Sequence, residues 1–179
     1  MSLLSYHRLR ELVGQGVIDA PIENINGASI DITLDDTVMI ETGNISPIDL
    51  GCKESINMVE HSISDSNIIL TPGDFILASS FETFNLPNNI AAEYKLKSSL
   101  ARSGLQHLMA GWCDPGWNGS KLTLELKNVT RYADLVLRAG MKIGQVVFWE
   151  CEPVPEENSY AVKGQYNNDK TVTANKGVR

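Results

Sequence analysis

Residues 95–128 read KLKSSLARSGLQHLMAGWCDPGWNGSKLTLELKN, and their closing segment decides the fold class. Leu122, Leu124 and Leu126 alternate with Thr123 and Glu125, the period-two pattern of a half-buried strand. Glu125 therefore shares the polar face with Thr123 and Lys127. A single Glu on a strand is ordinarily a solvated residue. Upstream, Lys97, Ser98, Ser99, Leu100, Ala101, Arg102, Ser103 and Gly104 give it different company. The serines can cap a short helix and Gly104 can end it in a left-handed conformation. A helix start with free N–H groups, two hydroxyls, a Lys and an Arg suits phosphate oxygens. The same octet also reads as an ordinary capped turn with a solvated Lys and Arg.

Outward from this stretch the chain reads as strands and turns. Ser5 can cap a helix running to about Val13, with Leu9, Leu12 and Val13 on one face and Gly14 and Gly16 at its end. Residues 29–34 alternate, Asp35-Asp36 reads as a turn, and Val38-Met39-Ile40 follows. Residues 41–67 read as loops with one short strand. Thr71-Pro72-Gly73-Asp74 and Leu86-Pro87-Asn88-Asn89 are turns flanking the apolar run at 75–78, and residues 141–149 form a late strand containing Gly144. Many short strands after one helix imply a mainly β barrel or sandwich. We expect one domain at 1–152 and a polar tail at 153–179, mobile unless a ligand or neighbouring subunit orders it.

Composition narrows the function classes. The formal net charge is -7, and Lys and Arg occur in no longer run than isolated pairs. This opposes a nucleic-acid footprint. No apolar run reaches membrane-spanning length and the N-terminus lacks a signal-like pattern, so a cytoplasmic protein is expected. Cys52, Cys113 and Cys151 are dispersed, as are His7, His61 and His107. Zinc-dependent nucleobase deaminases need H-x-E and P-C-x-x-C, and neither is present.

Six motifs in order resemble the dCTP deaminases of the dUTPase-like superfamily. They are G-A-S-I-D-I-T-L at 27–34, L-T-P-G-D at 70–74, K-S-S-L-A-R-S-G-L at 97–105, A-G-W-C-D-P-G-W-N-G at 110–119, T-L-E-L-K-N at 123–128 and G-M-K-I-G-Q at 140–145. The resemblance implies a distorted jelly-roll-like β barrel of the dUTPase-like type with a short N-terminal helix. It also implies a homotrimer with active sites between subunits. The substrate would be dCTP bound with Mg²⁺, with no zinc and no protein metal ligands, and dTTP would be an inhibitor. By motif, Glu125 would be the general base and acid, and Ser98 and the Ala110 carbonyl would hold the water. Arg102 would orient Glu125; Lys97 and Ser99 would hold phosphates; Asp114 would hold the deoxyribose. Backbone at Thr123 and Leu124 would read the pyrimidine, and Gln145 would contact the nucleotide.

Gly111 and Trp112 before Asp114, and Lys97 at the head of its motif, resemble the bifunctional branch that carries dUTP on to dUMP and pyrophosphate. Asp114 would there also orient a water toward the α-phosphate. Two departures stand out. One extra residue lies between Asp114 and Glu125, expected as a bulge near 118–121. The C-terminal lid motif is loosely matched, with Tyr166 in place of its Tyr, Gln165 and Asp169 departing from it, and Lys163 or Lys170 as candidate charges. A deamination-only enzyme releasing dUTP, a dUTPase and a non-catalytic nucleotide-binding trimer remain as alternatives.

Overall fold

The computed structural model describes residues 1–43, 47–50 and 56–177. Cys52 and part of the loop expected at 41–67 lie outside the described residues. Strand β1 (Ser2–Leu3) leads into helix α1 (Tyr6–Gly14), which buries Leu9 and Leu12. Ser5 occupies the N-cap position in an extended conformation, but its hydroxyl makes no cap hydrogen bond. The Tyr6 N–H instead donates to the Gly27 carbonyl at 2.9 Å, so the helix start is tied to tertiary structure.

Strand β2 (Ile30–Glu41) joins the two halves of the sheet. The sequence suggests a turn at Asp35-Asp36, whereas the structure has one continuous strand with a register shift between Leu34 and Val38. Its first part pairs with β11 (Lys142–Glu150); its second pairs with β3 (Met58–Ser62) and β5 (Phe75–Asn85). The reason is local. Asp35 is buried and paired with the Lys121 ammonium, and the Ser79 hydroxyl donates to it at 3.3 Å. With Asp35 satisfied internally and Asp36 exposed, the segment bends a strand instead of ending it.

The remaining strands complete a curled half-barrel: β6 (Ile90–Leu96), β7 (Leu105–Gln106), β8 (Trp112–Cys113) and β9 (Asn118–Asn128). Their order is β7-β9-β5-β2-β11-β6-β8, with β1 on β11 and β3 on β2. Strands β4 (Asn67–Leu70) and β10 (Leu135–Arg138) pair separately. Leu122, Leu124 and Leu126 of β9 face a core that includes Ile32, Leu34, Phe84 and Phe148. The architecture is therefore mainly β with a short N-terminal helix, as the resemblance implies. The bulge expected near 118–121 falls at Gly119, where the β5–β9 register shifts and φ is +66°.

Gly144 lets β11 pass close to Tyr94 of β6. A Cβ there would lie 2.1 Å from the buried Tyr94 ring. We predict that Gly144→Ala costs about 1–3 kcal/mol through overpacking, read as a lower urea midpoint at fixed protein concentration. An unchanged midpoint would mean the Tyr94 ring moves aside freely.

Candidate active site

The period-two pattern of β9 has a direct consequence. With its leucines in the core, Lys121, Thr123 and Glu125 project to the opposite face, where a cavity of about 400 Å³ opens. Glu125 sits opposite Leu77 of β5, and Phe75, Leu77 and Trp117 are among the apolar walls. Burial pushes the Glu125 carboxyl up to about 7, against a lesser opposing contribution from a backbone hydrogen bond. No other side chain is bonded to it among the described residues. Such a group exchanges protons near neutral pH, as a general base or acid must.

Six of the residues singled out from sequence meet at this cavity: Ala110, Trp112, Asp114, Thr123, Glu125 and Tyr166. Asp114 begins the turn Asp114-Pro115-Gly116-Trp117, closed by Trp117 N–H donating to the Asp114 carbonyl at 3.1 Å. Just upstream, Leu108 and Met109 hold left-handed backbone conformations (φ 54° and 63°). Strain of this kind in residues with side chains concentrates at functional sites.

The others lie elsewhere in the chain. Helix α2 (Ser98–Arg102) has Lys97 at its N-cap, so Ser98 and Ser99 are inside the helix and neither caps it by its side chain. Gly104 does adopt the left-handed conformation, at φ +93°. Lys97 Nζ donates to Asp31 Oδ1 at 2.7 Å, and Lys142 Nζ reaches Oδ2 at 3.2 Å. Burial pushes Asp31 up, but Lys97, Asn26 and Lys142 outweigh it and hold the carboxyl below its usual range. Beside them the Ser29 hydroxyl donates to Gln145 Oε1 at 2.9 Å. Lys97, Ser98, Ser99, Arg102 and Gln145 do not line the Glu125 cavity. Leu124 faces the core. Gly111 has a packing cause: a Cβ would lie 2.8 Å from the Tyr94 carbonyl oxygen.

The cavity also contains Asp169, noted in the sequence only as a departure from the lid motif, and residues that sequence reasoning passed over, chiefly Lys121, Tyr160 and residues 173–175. In the tail, Val172 is buried and Tyr160 packs against the core, and polar contacts do the rest of the docking. Trp117 Nε1 donates to the Tyr166 carbonyl at 2.7 Å, and the Ser120 hydroxyl lies 2.9 Å from the same oxygen. Lys121 N–H donates to the Asp169 carbonyl at 2.8 Å, and Thr173 N–H to the Thr123 hydroxyl at 3.2 Å. Of the candidate tail charges, Lys170 donates to the Gly119 carbonyl, while the unforeseen Lys176 pairs with Asp169 at 2.7 Å and lies 4.9 Å from the Tyr166 ring centroid.

A family model described as dCTP deaminase-like matches residues 3–151. The chain belongs to that family. The dUMP-forming dCTP deaminase of Nanoarchaeum equitans is 36% identical, with 96% of each chain covered. That of Methanosphaerula palustris is 35% identical over 81% of this chain and 77% of its own. The crystal structure of 2'-deoxycytidine 5'-triphosphate deaminase from Agrobacterium tumefaciens shares the fold, with a TM-score of 0.64 at 20% identity. It is matched over 82% of this chain and 47% of that one.

Ser120 is fully buried and holds both the Tyr166 carbonyl and, as acceptor, the Asp169 N–H at 3.2 Å. We predict that Ser120→Ala weakens tail docking by about 1–3 kcal/mol. Amide hydrogen exchange should accelerate across residues 166–177 while the barrel strands keep their protection. Uniform acceleration would assign Ser120 to global stability instead.

Proposed function

We propose that this protein deaminates dCTP at cytosine C4 and carries the product on to dUMP and pyrophosphate. The observation that carries this reading is Glu125, a carboxyl with no side-chain partner among the described residues, raised by burial and set in a cavity with Asp114 and Thr123. Both named relatives are dUMP-forming dCTP deaminases, which supports the second step. Gly111, with its packing cause, contributes nothing to that choice.

In the first step Glu125 takes a proton from water, and the resulting hydroxide bonds to C4. Glu125 then returns protons to N3 and to the departing amine, giving dUTP and ammonia. Acid–base help of this kind accounts for about 10²–10⁴-fold, and positioning and electrostatics must supply the rest. Thr123 and Leu124 offer backbone groups to the pyrimidine edge, and Asp114 accepts from the deoxyribose hydroxyl. Mg²⁺ enters with the triphosphate as part of the substrate; no group of three or more His, Cys, Asp or Glu among the described residues is arranged to cage a metal.

Among the described residues, the cavity is lined by no cation for the phosphates beyond Lys121, which is paired with Asp35. We infer that a neighbouring copy supplies its Lys97, Ser98, Ser99 and Arg102, so that a homotrimer holds sites between subunits. Gln145 belongs to the same polar cluster as Lys97. Tyr166 and the docked tail then form the lid over the nucleotide phosphates. A triphosphate with an unreactive base, dTTP, is an expected inhibitor. No described helix is long and apolar enough to cross a membrane, and we assign the protein to the cytoplasmic nucleotide pool.

Three outcomes test this reading. Incubation with dCTP and Mg²⁺ should yield dUMP and pyrophosphate on ion-exchange chromatography; accumulation of dUTP alone would reduce the protein to a deaminase. Glu125→Gln should lower ammonia release at least 10²–10⁴-fold while dCTP still binds, and near-normal release would remove Glu125 from its role. The pH dependence has a definite sign. A neighbouring guanidinium favours the carboxylate, so Arg102 should hold the acid limb of kcat/KM below the value of about 7 that burial alone gives. Arg102→Ala should move that limb up toward it. An unmoved limb would place Arg102 outside the site.

A further inference from the structure

Trp112 has a property that neither its place in the cavity wall nor the packing of the sheet accounts for. Its ring is about half exposed, yet its one polar atom is committed: Nε1 donates to Asp114 Oδ1 at 2.9 Å. The indole is held from two other directions. Its backbone pairs with Glu93 of β6, and its ring lies 5.9 Å from that of Trp149 on β11 at an interplanar angle of 37°. The donor is thus fixed to the sheet, while the carboxylate it holds belongs to the following turn.

We propose that Trp112 is a positioning residue for the dUMP-forming step, acting through Asp114. The inference rests on the reading in which Asp114 orients the attacking water. In that step the water oxygen bonds to the α-phosphorus while the bond from that phosphorus to the bridging oxygen breaks. The electron pair leaves with pyrophosphate, and Asp114 accepts the proton released by the water. A carboxylate at the start of a surface turn rotates freely about χ1 and χ2 unless something stops it. The Trp112 N–H stops it at Oδ1 and leaves Oδ2 without a protein partner among the described residues. A neutral donor suits this task, because an ammonium in its place would draw more of the basicity that the proton transfer requires. Trp112 therefore governs the hydrolytic step after deamination, whereas the Glu125 proton shuttle does not pass through it.

The readout is the ratio of dUTP to dUMP among the products at early times with dCTP in excess, which does not depend on how tightly dCTP binds. Trp112→Phe keeps an aromatic ring on the Trp149 side while removing the donor with the smaller ring that carries it. A hydrogen bond to a charged group of this kind corresponds to a change of about ten- to a hundredfold in rate, so the dUTP share should rise by that order. With dUTP supplied directly, kcat should fall more than KM changes. A wild-type ratio in the variant overturns the inference, whatever happens to KM, and an equal fall in both steps also overturns it by making Trp112 a general support. If Trp112→Phe does not fold, Trp149→Leu withdraws the ring behind the indole and should shift the ratio the same way by a smaller factor; no shift there is equally decisive against it. Release of dUTP alone by the unmodified protein would instead remove the two-step reading, and the inference with it, before any variant is made.

Discussion

Removing a carboxylate from water without a cation to answer it is costly, and the outer face of β9 does this to Glu125. The cost is accepted because the opposite face of the same strand is a stripe of leucines in the core, which leaves the backbone no alternative register: a slip of one residue would put Leu122, Leu124 and Leu126 outside and Glu125 within the hydrophobic interior. The apolar rows of β5 that flank Glu125 then do two things at once. They hold the strand in place, and they raise the carboxyl to about 7, where it trades protons at neutral pH. Fold and chemistry are thus set by one alternation.

The distribution of charge within a chain follows from that arrangement. Lys97, at the N-cap of α2, is anchored elsewhere, on Asp31, which it shares with Lys142. Each of the two groups of residues lacks what the other has. The cavity has the carboxyls of Glu125 and Asp114; the α2 cluster has the positive charge. A triphosphate needs both, and an assembly in which one copy's α2 meets another's cavity provides them without any movement within the chain. The same division accounts for the tolerance of an anionic ligand by a protein of net charge -7, since the positive charge is local.

Much of this was legible in the sequence where period and motif coincide. The leucine alternation gave β9 its face, and the resemblance carried by residues 97–105, 110–119 and 123–128 pointed to Glu125 and Asp114. The extra residue before Glu125 was readable as a bulge because Gly119 can take a positive φ. Two features escaped. Asp35-Asp36 looks like a turn because paired acids are usually solvated; only the distant Lys121 and Ser79 make it a strand corner. The tail looked unanchored because its apolar anchors are few and many of its contacts are polar and long-range, with Trp117, Ser120 and Thr123 meeting backbone groups 46 to 50 residues later. Periodicity carries no trace of such pairs. Nor does it say which residues of a motif meet within one chain and which await another.

The division of the site between subunits is the claim on which the rest turns, and it is open to a direct measurement. Glu125→Gln and Arg102→Ala proteins, each expected to be strongly impaired in deamination, are unfolded together in equal amounts, refolded and assayed for ammonia release from dCTP. Random assembly brings an intact Glu125 from one chain against an intact Arg102 from another in about one site in four, so roughly that fraction of the unmodified activity should return. If the mixture stays as inactive as its components, the two residues act within one chain or not at all, and the shared site is contradicted.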